Sequence, residues 1–189
     1  MITLIIVDPQ YDFIDGGKLP IEGGKQALDN IVELINSGKV GNALVMYDWH
    51  PGNHCSFKYH PEHCVIDTDG ARIYSPIIKA VDDKNLYTEC IKKGFDRNVE
   101  ELTAFVRVQN EFYDCVIFEI SNDNAGYILS EREDVVVCGL GDGVLETLKQ
   151  LVKKRNKLHS LSVFTNGIAT EDNSGLRKYM IDNDVAEYE

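Results

Sequence analysis

Asp48-Trp49-His50-Pro51-Gly52-Asn53-His54 is followed nine residues later by His63, so one carboxylate and three imidazoles of potential ligand spacing stand among the two carboxylates and four imidazoles of sixteen positions. Histidine is the commonest protein ligand for a divalent transition metal, and a carboxylate is a usual companion. Asp48 and His50 are two apart, which in extended backbone turns both side chains to the same side. Pro51-Gly52-Asn53 is turn chemistry that can fold the chain back and bring His54 to the same point. The spacing predicts a centre for one divalent metal ion built from Asp48, His50, His54 and His63. An O/N₃ set with positions left for water suits zinc first, and also iron or manganese.

Such a cluster needs elements that hold it. Residues 2–7, 43–47, 135–138 and 161–164 are apolar runs, each ending in polar or glycine residues. Runs apolar on both faces suit strands of a buried parallel sheet. Helical periodicity lies between them: Ala27, Leu28, Ile31, Leu34 and Ile35 within 25–37, and Val144, Leu145, Leu148, Leu151 and Val152 within 144–154. A shorter helix is expected over 124–132 and a C-terminal one over 174–183. Strand and helix in alternation predict an α/β fold, a three-layer, doubly wound and mainly parallel sheet. In such sheets ligands sit beyond the carboxyl ends of the strands. Asp8, Asp48 and the Gly139–Gly143 loop all lie at that rim. The segment 95–123 has no clean period apart from a probable strand at 115–118, and reads as a cover over the site or an oligomer contact.

The 189 residues form one expected domain, 1–189, with ordinary hydrophobic (43%) and charged (26%) content. A net charge of −12 argues against nucleic acid and against anionic membranes, both of which need a basic face. No apolar run reaches bilayer length, and the apolar start lacks the basic region of a signal peptide. Cys55, Cys64, Cys90, Cys115 and Cys138 are odd in number and irregular in spacing, which fits reduced thiols in the cytoplasm.

Val7-Asp8-Pro9-Gln10-Tyr11-Asp12-Phe13, Asp48 to Phe57, Pro61-Glu62-His63-Cys64-Val65, Lys93-Gly94 and Val137-Cys138-Gly139-Leu140 together resemble the nicotinamidase/pyrazinamidase group of the isochorismatase-like cysteine hydrolases. The resemblance runs over nearly the whole chain, and the metal loop is its most specific part. It implies hydrolysis of nicotinamide to nicotinate and ammonia, within NAD metabolism. A cysteine thiolate would attack the carboxamide, with Asp8 as general acid/base and Lys93 stabilising charge. The metal would orient the pyridine nitrogen. Phe13 would line the ring pocket, and His60 falls where nicotinamidases usually carry a stacking Trp. The implied partner is a small pyridine carboxamide, and relatives are commonly dimers or larger, which keeps a homo-oligomer open.

The chain departs from this pattern at the nucleophile. Where the family carries Gly-x-Ala-x-Asp-x-Cys-Val, this sequence reads Gly139-Leu140-Gly141-Asp142-Gly143-Val144-Leu145, which puts Gly143 or Val144 at the cysteine position. Neither side chain can attack a carbonyl. Three alternatives follow: another cysteine (Cys138, Cys64 or Cys55) as nucleophile, water activated at the metal with Asp8 as base, or a non-catalytic homologue that binds a pyridine ligand or regulates.

Overall fold

The computed structural model describes residues 1–105 and 133–189, together with the backbone of 116–117 and 128–129. Its strands are β1 (Ile2–Val7), β2 (Val40–Asp48), β3 (Tyr87–Lys93), β4 (Val116–Ile117), β5 (Ile128–Leu129), β6 (Asp134–Leu140), β7 (Ser160–Ala169) and β8 (Ala186–Glu187). The helices are α1 (Gly24–Asn36), α2 (Ser75–Asp83), α3 (Gly143–Val152) and α4 (Asn173–Asp182). Six strands form one sheet in the order β3-β2-β1-β6-β7-β8, and every neighbouring pair in it is parallel. β4 and β5 pair antiparallel apart from it.

Alternation along the strands builds two cores. Leu4, Ile6, Val45 and Val136 face α1 and α2, whereas Ile5, Val7, Leu44 and Val137 face α3 and α4. This is the three-layer, doubly wound sheet that the apolar runs imply, since strands covered on both faces must be apolar on both. Helix α1 buries Ala27, Leu28, Ile31, Leu34 and Ile35. It stops at Gly38, whose φ of 78° provides the left-handed turn after a helix end. Pro76 occupies the first turn of α2, where its missing N–H costs nothing.

Strand order reverses between β1 and β6, so the chain leaves their carboxyl ends in opposite directions and opens a crevice there. Asp8 ends β1 in the left-handed region with φ 51°, a conformation in which Asp is better tolerated than most residues. One sequence expectation is corrected. Ile128–Leu129 is a strand, so the helix expected over 124–132 does not hold there; the two-residue pairing with Val116–Ile117 replaces it. The rest of that segment, and most of 95–123 beyond Phe105, lies outside the described residues. Among the described residues no helix is long and apolar enough to cross a membrane.

Candidate active site

Asp8, Asp48 and Lys93 meet at the crevice from the ends of β1, β2 and β3. Lys93 Nζ lies 2.5 Å from Asp48 Oδ1 and 3.0 Å from Asp8 Oδ2, and all three side chains are buried. One cation thus serves two carboxylates, and they respond in opposite senses. Burial, opposed by the Lys93 charge, pushes Asp8 from 3.8 up to about 8, and the neighbouring Asp48 charge adds to the rise. Burial also works against ionised Asp48, but Lys93 and His50 outweigh it and hold that carboxyl well below its ordinary value. For Lys93, burial lowers the ammonium, and the charges of Asp48 and Asp8 more than restore it. The arrangement is therefore a charged Lys93–Asp48 pair beside an Asp8 whose proton is exchangeable near neutrality. Among the described residues, Asp8 Oδ1 is buried and has no hydrogen-bond partner.

The imidazoles are set by their second nitrogens. His50 Nδ1 donates to the Gly94 carbonyl at 3.0 Å, and His63 Nδ1 donates to the Pro61 carbonyl at 2.8 Å. In the neutral ring each of these bonds leaves the lone pair on Nε2, the tautomer that a metal ligand needs; burial works against a charged His50, yet Asp48 beside it raises that ring above its ordinary value. Gly94 makes the first of these possible: at φ 72°, a Cβ there would lie 2.4 Å from the His50 ring. His50 is fully buried; among the described residues its Nε2 has no hydrogen-bond partner, and Asp48 Oδ2 stands 3.5 Å away. Burial draws His63 below its ordinary value. Ligand atoms of Asp48, His50 and His63 lie within 4.8 Å of one another. An unpartnered buried nitrogen next to a carboxylate and a second neutral imidazole fits a divalent cation.

His54 departs from the four-residue set. Its ring stacks on His50 with centroids 3.9 Å apart. Its Nε2 donates to the Val99 carbonyl at 3.0 Å while Nδ1 accepts from Ser56. Both nitrogens are engaged, and His54 groups instead with His50 and Glu100.

The crevice encloses about 520 Å³, lined by Asp8, Phe13, Asp48, Cys55, His60, His63, Lys93, Glu100, Leu102, Gly143 and others. Phe13 and His60 both reach it, with ring centroids 5.6 and 6.2 Å from that of His63. Asp142 and Glu171 also line it. His159 is far from all this, paired with Asp134 on the surface.

The geometry separates Gly143 from Val144, the two positions that the resemblance leaves open. Gly143 begins α3 facing Asp8: a Cβ there would lie 2.9 Å from Asp8 Oδ2, 3.0 Å from Val7 Cγ1 and 2.6 Å from the Leu102 carbonyl oxygen. Val144 is turned into the core beneath the sheet. The other thiols are placed differently. Cys138 packs in the opposite core, donates to the Ile5 carbonyl at 3.5 Å, and is pushed up by burial. Cys64 is buried, with its thiol likewise raised by burial. Among the described cysteines, Cys55 lines the crevice. Cys115 lies outside the described residues.

Two positioning side chains escaped the sequence reading. Gln10 is fully buried; its Nε2 donates to the Asp48 and Ala71 carbonyls at 2.7 and 2.8 Å, and its Oε1 accepts from Asp48 N at 2.7 Å. Asp12 accepts from the Cys64 and Lys18 amides. A polar residue three positions after a strand was the available signal.

The Mycobacterium tuberculosis nicotinamidase/pyrazinamidase is 32% identical over 162 residues, covering 78% of this chain and 86% of that protein. The chain belongs to the nicotinamidase/pyrazinamidase family. The Acinetobacter baylyi nicotinamidase is 29% identical over 71% of this chain; the match spans 65% of that relative's own length, slightly under two thirds. No family model matches. Among solved structures, L. infantum PnC1 in complex with nicotinate superposes with a TM-score of 0.74 at 25% identity, covering 99% of this chain and 91% of that one. A Pyrococcus horikoshii pyrazinamidase in complex with zinc has the same fold, with a TM-score of 0.67 at 20% identity over 98% and 96% of the two chains.

Proposed function

We propose that this family member is a metal-dependent amidohydrolase for a small pyridine carboxamide such as nicotinamide, with water replacing the thiol as nucleophile. One observation carries the reading: Asp8 presents an unpartnered, buried Oδ1 in the crevice beside Lys93, opposite a residue without a side chain. In the proposed step Asp8 takes a proton from water as its oxygen bonds to the carboxamide carbon. Gly143 opens α3 on the wall of the crevice, and an amide at the start of a helix has no intrahelical acceptor, so the Gly143 N–H would hold the oxyanion. Asp8 returns the proton to the amide nitrogen, the C–N bond breaks, and ammonia and the carboxylate leave. Lys93 stays charged and offsets the ionised Asp48. A divalent ion held by Asp48, His50 and His63 would supply a Lewis acid for the ring nitrogen or the polarised carbonyl. The zinc in the P. horikoshii neighbour and the nicotinate in the L. infantum neighbour support this choice of metal and ligand class.

The test is ammonia release from nicotinamide by zinc-loaded protein, before and after thiol alkylation, with Asp8→Asn and Cys55→Ser variants. Release that depends on Asp8 and survives alkylation is expected. Release lost with Cys55→Ser would return the chemistry to a thiol. Gly143 and the Leu102 carbonyl in the thiol's place favour a second reading, a non-catalytic homologue that binds the pyridine ligand. Calorimetric binding of nicotinamide without any release would establish that reading instead.

A further inference from the structure

The segment Val99–Leu102 touches the site at successive residues. The Val99 carbonyl accepts from His54 Nε2 at 3.0 Å. Glu101 Oε2 accepts from the Gly94 amide at 2.7 Å, behind the carbonyl that fixes His50. The Leu102 carbonyl covers Gly143. Glu100 sits between these anchors on the wall of the crevice, and its carboxylate lies within 4.8 Å of ligand atoms of His50 and His54.

We propose that Glu100 is a further ligand of the metal centre, delivered by the Val99–Leu102 strap. The inference rests on the metal reading above. Glu100 then lies on a second edge of the centre, beside His50 and His54, while Asp48 and His63 flank His50 on the first; His54 keeps both nitrogens on Val99 and Ser56, so Glu100 alone adds a ligand atom there. The independent observation is His50 itself, fully buried and, among the described residues, with no partner for Nε2. His54 alone gives that second edge no charge, whereas Glu100 supplies an anionic oxygen, a hard donor of the kind that divalent zinc, iron and manganese accept. The Glu100 side chain is exposed, so it can reach inward by rotamer change while Val99 and Glu101 keep the backbone in place. Metal loading is thereby coupled to the segment that fills the thiol's place at Gly143.

The test uses metal ions alone. Metal-free full-length chain is titrated with Zn²⁺ against a chromophoric chelator, and separately with Co²⁺ while the visible absorption is recorded. Wild type, Glu100→Gln and Asp48→Asn are compared, with far-ultraviolet circular dichroism as the folding check. Glu100→Gln is expected to weaken Zn²⁺ about tenfold or more and to change the position and intensity of the Co²⁺ band. An unchanged affinity and band overturn the assignment of Glu100 and leave the centre standing. A weaker affinity with an unchanged band also overturns it, because the carboxylate then acts only through its charge. Failure of the wild type to bind either ion at millimolar concentration overturns the metal centre and Glu100 together.

Discussion

At Gly143 the absence of a side chain matters as much as any side chain present. A Cβ there would press on the Leu102 carbonyl at 2.6 Å and on Asp8 at 2.9 Å, and backbone cannot yield as a flexible side chain can. Gly143→Ala should therefore cost about 1–3 kcal/mol through overpacking, despite the higher helix propensity of alanine, and urea unfolding of the two proteins measures it. A gain in stability would mean that the strap gives way freely. Asp8 makes a kinetic statement. With its pKa near 8, the base is mostly protonated at neutral pH, so kcat/KM for nicotinamide should rise with pH and level off above about 8. Lys93 is held above its ordinary value and contributes no limb in that range. A profile flat from pH 6 to 9 would remove Asp8 from the role of base.

Gln10 joins two elements that share no turn or helix. Its amide closes a two-way bond with the Asp48 backbone and a third to Ala71, locking the end of β2 to the chain leaving β1. Gln10→Ala leaves the buried Asp48 amide without its acceptor, at a cost of about 1–3 kcal/mol, and frees the Asp48 carboxylate from its alignment with His50. Thermal melts should show the loss, and Zn²⁺ affinity should fall with it; unchanged affinity would mean that β2 holds Asp48 unaided. The elements differ in how openly the sequence declares them. β1, β2, β6 and β7 are covered on both faces, so their apolar runs stand out, and α1 and α3 follow the helical period closely. β3 does not stand out because it is an edge strand reading Tyr-Thr-Glu-Cys-Ile-Lys-Lys, in which Ile91 and Lys93 are buried. α2 has nine residues, too few for a period to show, and β8 has two exposed ones. At the site, Asp48, His50 and His63 were legible from short-range spacing and Asp8 from a strand end, whereas Lys93, at the end of the inconspicuous β3, came only with the family resemblance. Glu100 and Leu102 were not legible. Their relation to His50 and Gly143 depends on a strap with no period of its own, returning across the crevice only after the sheet has formed.

The molecule as a whole carries −12 charges, yet its most consequential titration lies inside the sheet rather than on that acidic surface. Asp8 binds its proton far more tightly in the folded chain than at its ordinary value of 3.8. Between pH 4 and about 8 the folded state therefore holds more protons here than the unfolded state, and by linkage stability must fall as pH rises through that window. Asp48 acts in the opposite sense, because its carboxyl is held low. Its contribution is complete above its ordinary value and constant across the same window. His50 and His63 are also displaced on folding, raised and lowered respectively, so a single stability curve mixes their effects with that of Asp8. Subtracting the curve of Asp8→Asn, which cannot ionise at this position, removes what the two proteins share. For the metal-free chain in chelator, the unfolding free energy of wild type relative to Asp8→Asn should decline by a few kcal/mol, on the order of 1.4 per pKa unit displaced, between pH 5 and 8. Parallel curves would show that Asp8 ionises normally within the fold. The crevice would then be a site in which both carboxylates are charged around one lysine, and no proton would be left there for an amide nitrogen to receive.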